Sequence, residues 1–134
     1  MDTIIPGSHR DILDAKGFAF IATIGPRAAP HVSPTWYLWD ADTEQLLISL
    51  TTEWQKYRNL QRKPHVAVCI PDPANPYRYL ELRGKVDAFD LDENRNLINT
   101  LTKKYVGLDE HTRDQPSDVR VVVRISAEYA RCFG

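Results

Sequence analysis

The apolar positions change period several times along the chain, and each change marks an element. Ser8-His9-Arg10-Asp11 has the S-x-x-D form of a helix start, and Ile12 and Leu13 give a short apolar stripe that ends near Gly17. Phe18 to Ile24 is a compact apolar run with β-branched residues, which predicts a buried strand. Gly25-Pro26 breaks it. His31 to Trp39 reads as a second strand interrupted by Pro34, and a proline inside a strand points to an edge or a bulge. After the turn Asp40-Ala41-Asp42, Gln45 to Leu50 predicts a third strand.

Thr52-Glu53-Trp54-Gln55 fits a T-x-x-Q capping box and predicts a short helix through about Arg62, stopped by Pro64. His65 to Ile70 is a fourth strand, closed by Pro71-Asp72-Pro73 and the loop Ala74-Asn75-Pro76. Tyr79 to Val86 alternates, with Leu80, Leu82, Gly84 and Val86 on one face and Glu81, Arg83 and Lys85 on the other. Asp92 is placed to cap a helix that carries Leu97, Ile98, Leu101 and Tyr105 on one face. Gly107 to Ser117 is polar and breaker-rich, as a surface loop is. Val119, Val121, Val123 and Ile125 share one face of a last strand.

The pattern predicts six strands and three short helices in one domain of 134 residues. Tight early turns require antiparallel pairing. A mainly β, six-stranded antiparallel barrel with peripheral helices is the simplest way to remove the sheet edges.

Composition narrows the function. Hydrophobic residues make up 43% and charged residues 26%, an ordinary globular mixture. A net charge of −1 argues against a dedicated nucleic-acid binder. The N-terminal residues Met1 to Arg10 hold no apolar signal-like core, and no run of about 18 apolar residues appears, so a cytoplasmic protein without membrane insertion is expected. Cys69 and Cys132 lie in apolar runs without metal-ligand spacing, and are expected as reduced core thiols with no metal site. His9 and His111 are expected at the surface, His65 as structural, and Tyr57 as an anchor of its helix. Trp36 and Trp39 have opposite parity, so regular alternation turns at most one of them to the core.

The stretch Ser49 to Leu60 carries the candidate chemistry. A strand runs into a hydroxyl-rich turn that opens a helix, and free N–H groups at a helix start attract anions. Thr51 and Thr52 add hydroxyls, and Lys56, Arg58, Arg62 and Lys63 oppose the single acid Glu53. The set suits a phosphate; the plainer alternative is a capping Thr52 beside a solvated charged face. His31 is either a proton source or a strand-start histidine bonded to main chain.

Pro30-His31-Val32-Ser33-Pro34-Thr35-Trp36-Tyr37, Lys56-Tyr57-Arg58-Asn59-Leu60 and Asn75-Pro76-Tyr77-Arg78-Tyr79-Leu80-Glu81-Leu82-Arg83-Gly84 together resemble the pyridoxamine 5'-phosphate oxidase-like split-barrel proteins. Within them they resemble the class-B deazaflavin (coenzyme F420)-dependent oxidoreductases. The likeness runs from about Ser8 to Ile125. It implies a homodimer with cofactor sites at the interface and a small-molecule substrate. It implies that Ser33, Pro34, Thr35 and Trp36 lie along the cofactor ring. Leu50, Thr51, Thr52, Gln55, Lys56, Arg58 and Asn59 would hold its phosphate end, and Pro76, Tyr77 and Arg78 would arrive from the other subunit. Coenzyme F420 is the expected cofactor and FMN the alternative. An FMN-dependent oxidoreductase and a non-catalytic cofactor carrier are the competing functions. The turn Gly25 to Pro30 departs from the usual polar-glycine form, and no clear proton donor stands out beyond His31.

Overall fold

The computed structural model describes residues 4–134; the start of the expected 1–134 domain, residues 1–3, lies outside the described residues. Seven strands and two α-helices follow a 3₁₀ helix at Gly7–Asp14: β1 (Ala19–Ile24), β2 (Pro30–Thr35), β3 (Leu38–Asp40), β4 (Gln45–Thr51), α1 (Gln55–Arg62), β5 (His65–Asp72), β6 (Asn75–Leu91), α2 (Asn96–Val106) and β7 (Arg120–Phe133). All strand pairs are antiparallel, in one sheet of order β2-β1-β5-β6-β7-β4-β3. The sheet curls without closing, which is the split-barrel form.

The seventh strand corrects the sequence-based tally. The expected strand His31 to Trp39 is two strands, and they sit at opposite edges of the sheet. The break falls at Trp36-Tyr37 and not at Pro34, which pairs with Phe20 within β2. A proline is tolerated there because β2 is an edge strand and its outer side needs no N–H donor. Trp36-Tyr37 thus carries the chain across the split. Its main-chain groups leave the ladder, and α2 satisfies them: the Tyr105 hydroxyl accepts from Tyr37 N (3.2 Å), and Lys104 Nζ donates to Tyr37 O (2.8 Å). The Tyr105 hydroxyl also donates to Gly17 O (2.6 Å), and burial pushes its pKa up to about 12. The Tyr37 hydroxyl donates to Ile12 O at 2.6 Å.

The core inside the sheet is built by alternation. Leu46, Ile48 and Leu50 of β4, Val66, Val68 and Ile70 of β5, Leu80, Leu82 and Val86 of β6, and Val121, Val123 and Ile125 of β7 all turn inward. The opposite face of β4 is covered too: Leu47 packs against Leu97, Leu101 and Tyr105 of α2. That double burial is why β4 reads as a continuous apolar run. β6 and β7 form a long ribbon with irregular register at Arg83/Gly84 and Val86/Ala88. At Gly84 a Cβ would collide with the Ser126 carbonyl, so only glycine allows the two strands to approach there.

Both expected capping boxes are absent. The first helix is 3₁₀, with Ser8 Oγ bonded to His9 Nδ1 (2.8 Å) and Asp11 engaged by Arg78. At the second, Thr52 N donates to Val119 O and prolongs the sheet, so the helix starts only at Gln55, whose side chain donates to Asn59 and does not reach back to the N-terminus. Asp92 does cap α2, its Oδ2 accepting from Leu97 N (3.0 Å) and Ile98 N (3.3 Å). Val119 stands before β7 and is exposed, so it is not part of the inward row. Both cysteines are half-buried rather than core, since inward positions on β5 fall at Val66, Val68 and Ile70; burial, and for Cys69 also the neighbouring Glu81, raises their pKa. His9 is buried, not at the surface, because its Nε2 meets Phe133 O (2.9 Å) at the end of β7. Tyr57 packs on the core edge-on to Phe89 at 5.6 Å. Among the described residues no helix is long and apolar enough to cross a membrane.

Candidate functional site

The end of β2, the crossing at Trp36, β4, the turn before α1, α2 and the start of β7 meet around a cleft of about 230 Å³. Pro34, Thr35, Trp36, Ser49, Trp54 and Leu101 are among its lining residues, with His111 and Arg120. The wall is largely apolar, with a few polar groups, as a planar ring requires. Trp36 is fixed there by stacking on Tyr105, with ring centres 4.9 Å apart and planes within 7°.

Beside the cleft, the turn between β4 and α1 leaves three polar features without counterparts among the described residues. Thr51 lies two residues after the cleft-lining Ser49, hence on the same face of β4; its buried hydroxyl has no hydrogen-bond partner. The start of α1 carries no side-chain cap, so its first N–H groups are left for a ligand or water. Lys56 is half-buried and faces no described carboxylate; its ammonium stands 5.5 Å from the Trp54 ring centre, and burial lowers its pKa. A desolvated cation, an orphan hydroxyl and free N–H groups at one turn fit a phosphate.

The remaining residues singled out from the sequence are placed as follows. Ser33 and Leu50 belong to the same strands, with Leu50 turned into the core and Ser33 half-buried. Thr52 is half-buried in the turn. Gln55, Arg58 and Asn59 form a chain on α1: Gln55 Nε2 donates to Asn59 Oδ1 (2.7 Å), Arg58 Nη2 donates to Gln55 Oε1 (3.3 Å), and the fully buried Asn59 donates to Thr23 Oγ1 (3.0 Å). Asn59 therefore pins α1 onto β1. Pro76, Tyr77 and Arg78 lie at the start of β6 and are not part of this chain's cleft. Tyr77 is 82% exposed, while Arg78 is tied to Asp11 (2.7 Å), Asp72 (2.9 Å) and Ser8 O (2.6 Å). His31 is exposed and its ring packs over Gly25 in the β1–β2 turn, away from the cleft lining.

Sequence reasoning missed one group. His111 does not sit on a bare surface loop: its side chain is 13% exposed and its Nε2 is 3.1 Å from Asp114 Oδ1. Asp114 also receives Arg120 Nε and Nη2, both at 2.7 Å, and Arg95 Nη2 at 3.0 Å. The Arg120 fork, aided by Arg95 and His111, holds the Asp114 carboxyl far below its usual range. Arg120 also lies over the Trp54 ring at 5.1 Å. The one signal for this group is the acid and histidine inside a polar loop that precedes a strand beginning with arginine. Among the described residues no His, Cys, Asp and Glu cluster is placed to hold a metal.

Fold and cleft define a split-barrel protein with an anion-suited turn beside an aromatic-walled pocket. The chain matches the pyridoxamine 5'-phosphate oxidase family over residues 5–132 and belongs to it. Among solved structures it is similar to an F420 reductase, with 32% identity, coverage of 95% of this chain and 98% of the other, and a TM-score of 0.83. A conserved hypothetical protein from Mycobacterium tuberculosis shares 24% identity over 98% of this chain and 86% of its own, with a TM-score of 0.74. General Stress Protein 26 from Bacillus anthracis shares 16% identity over 92% and 89%, with a TM-score of 0.68. The last two likenesses speak for the fold alone. No curated protein matches the chain.

Proposed function

We propose that this chain is a coenzyme F420-dependent reductase that works as a homodimer on a small organic acceptor. The observation that carries the reading is the turn at residues 51–56, where the Thr51 hydroxyl has no partner among the described residues, α1 starts without a side-chain cap and Lys56 is half-buried. The likeness to an F420 reductase along nearly the whole chain supports the deazaflavin over other phosphate-bearing ligands.

When bound, the reduced deazaflavin supplies a hydride from its central ring carbon. The chain supplies position and surroundings. Pro34, Thr35 and Trp36 present an edge strand and an aromatic face to the ring. Thr51, Thr52 and Lys56 hold the phosphate, and Asn59 keeps α1 at the angle that aims them. Arg58 in the middle of α1, with Arg62 and Lys63 at its C-terminal end, would meet the anionic tail; Arg62 is steadied there by donating to Ile24 O at 3.0 Å. Arg78 is committed to Asp11 and Asp72, and holds the hairpin that displays Tyr77.

The size of the cleft supports a second subunit. A cleft of about 230 Å³ is smaller than the roughly 300–1,000 Å³ of ordinary small-molecule sites, so another wall is needed. In the proposed dimer the exposed Tyr77 segment of the partner supplies it. Phe20 and Val32, exposed on β1 and β2, give the interface apolar area.

Titrating purified protein with F420 and with FMN, at low and high salt, tests the cofactor. F420 is expected to bind about tenfold tighter at low salt, since two or three surface contacts to its tail are each worth about 0.2–1 kcal/mol and are screened. Tighter FMN binding at both salts overturns the F420 assignment. Sedimentation of a cofactor-loaded monomer at micromolar concentration overturns the dimer.

A further inference from the structure

A second cavity, of about 360 Å³, adjoins the cleft. Trp36 and His111 line both. The second cavity adds Thr102, Val106 and Leu108 with Glu110, Thr112 and Arg113, most of them from the end of α2 and the loop after it. A residue in a wall common to two cavities can touch what each one holds.

His111 is built to present one ring nitrogen there. A carboxylate can only accept, so the 3.1 Å contact with Asp114 makes Nε2 the donor. Nδ1 has no hydrogen-bond partner among the described residues. The backbone is fixed as well: His111 N donates to Asn99 Oδ1 (2.9 Å), and Arg95 Nη2 reaches His111 O (3.5 Å). The groups that face the imidazole are Asp114, Arg120, whose Nη2 is 3.4 Å from Nε2, and Arg95, with Glu110 and Arg113 in the wall of the second cavity. Arg95 and Arg120 keep Asp114 ionised, so an acceptor for the Nε2 proton is always in place.

We infer that His111, positioned by Asp114, is the proton-delivering catalytic residue, and that the acceptor reaches the cofactor ring from the second cavity, at the edge that Trp36 and His111 share. The inference rests on the reductase reading above. For a conjugated carbonyl acceptor the hydride from the reduced deazaflavin forms a C–H bond and breaks the C=C π bond. The displaced electron pair takes the proton as the Nδ1–H bond of the imidazolium breaks. The products are the saturated carbonyl compound, oxidised cofactor and neutral imidazole, which regains its proton from water. His31, packed over Gly25 outside the cleft lining, is not needed.

The test compares wild type, His111→Gln and Asp114→Asn, with reduced F420 as donor and 2-cyclohexen-1-one and menadione as acceptors. His111→Gln is expected to bind F420 within about twofold of wild type by fluorescence titration, while its enone turnover falls about a hundredfold or more. The wild-type rate should fall at high pH, because the donor must be protonated, and this limb should vanish in His111→Gln. An independent reading needs no turnover: nitrogen NMR of the cofactor-free protein should show the Nε2–H tautomer of His111 at high pH, with that preference lost in Asp114→Asn. Unchanged turnover and pH profile in His111→Gln, with normal F420 binding, overturn the assignment alone, as does an Nδ1–H tautomer in the wild type. Failure of the wild type to bind F420, or to reduce either acceptor, overturns the reductase reading and this assignment with it.

Discussion

Asp114 and Arg78 each gather partners of opposite charge from distant parts of the chain, but in different surroundings. Asp114 is 9% exposed and grips the nearly buried Arg120 through both arms of its fork. Arg78 spans two carboxylates and a carbonyl near the β5–β6 hairpin, and one of those carboxylates, Asp11, is 65% exposed. The same guanidinium–carboxylate chemistry is thus costly to break in one place and cheap in the other. Removing one partner of a buried pair leaves a desolvated charge, whereas water replaces a partner at the surface. The difference also sorts function: the more buried cluster holds the wall of the cleft, and the one with an exposed arm at Asp11 ties down a hairpin.

Asp114→Ala should give the largest effect, a loss of about 3 kcal/mol in urea unfolding at pH 7, because Arg120 and Arg95 lose a shared partner. Acid sharpens this. The folded pKa of Asp114 lies below the unfolded value of about 3.9, so its contribution is complete above that value and is lost as pH falls through the folded one. The stability gap between wild type and variant should therefore narrow as pH is lowered from about 5 toward 2. A constant gap would remove the ionised Asp114 from the account.

Lys56→Ala comes next. It stands on the other side of the matter, a cation with no carboxylate of its own, and its removal should weaken F420 by about tenfold to a hundredfold while unfolding stays near wild type. That range corresponds to losing one hydrogen bond to a charged group, roughly 1.5–3 kcal/mol. An unchanged Kd would return Lys56 to the solvated face of α1.

Arg78→Ala should have the smallest effect, a fall in the unfolding midpoint well below that of Asp114→Ala that fades in high salt. A loss equal to that of Asp114→Ala would break the comparison. A tenfold loss of F420 affinity with stability intact would instead give Arg78 a direct part in the partner's site.

The comparison shows where sequence reading succeeds. The alternation of Leu80, Leu82 and Val86 and the helical face Leu97-Ile98-Leu101-Tyr105 were legible because burial alone writes them. The turn at residues 51–56 could be singled out as a candidate anion site because its residues are contiguous. The strand break at Trp36-Tyr37 was not, since what fixes it is Tyr105 and Lys104, some seventy positions away. The capping boxes misled because Thr52 had a better use for its N–H in the sheet and Ser8 a closer partner in His9. Asp114 and His111 were hidden in a segment whose polarity reads as solvent exposure, although Arg120 was what those polar groups served. Local pattern speaks for local structure; a network assembled from β7, α2 and a loop leaves no period to read.

The segment after α2 has a further meaning for how such a protein changes over generations. Leu108, Glu110, Thr112 and Arg113 line the second cavity, yet none of them belongs to a strand or to either packed core. Each can be exchanged without disturbing the sheet, provided that Asp114 still fastens the segment to Arg95 and Arg120. The molecule therefore separates heritable novelty from foldability: a few codons reshape the second cavity, and the barrel that positions the turn at residues 51–56 is inherited intact.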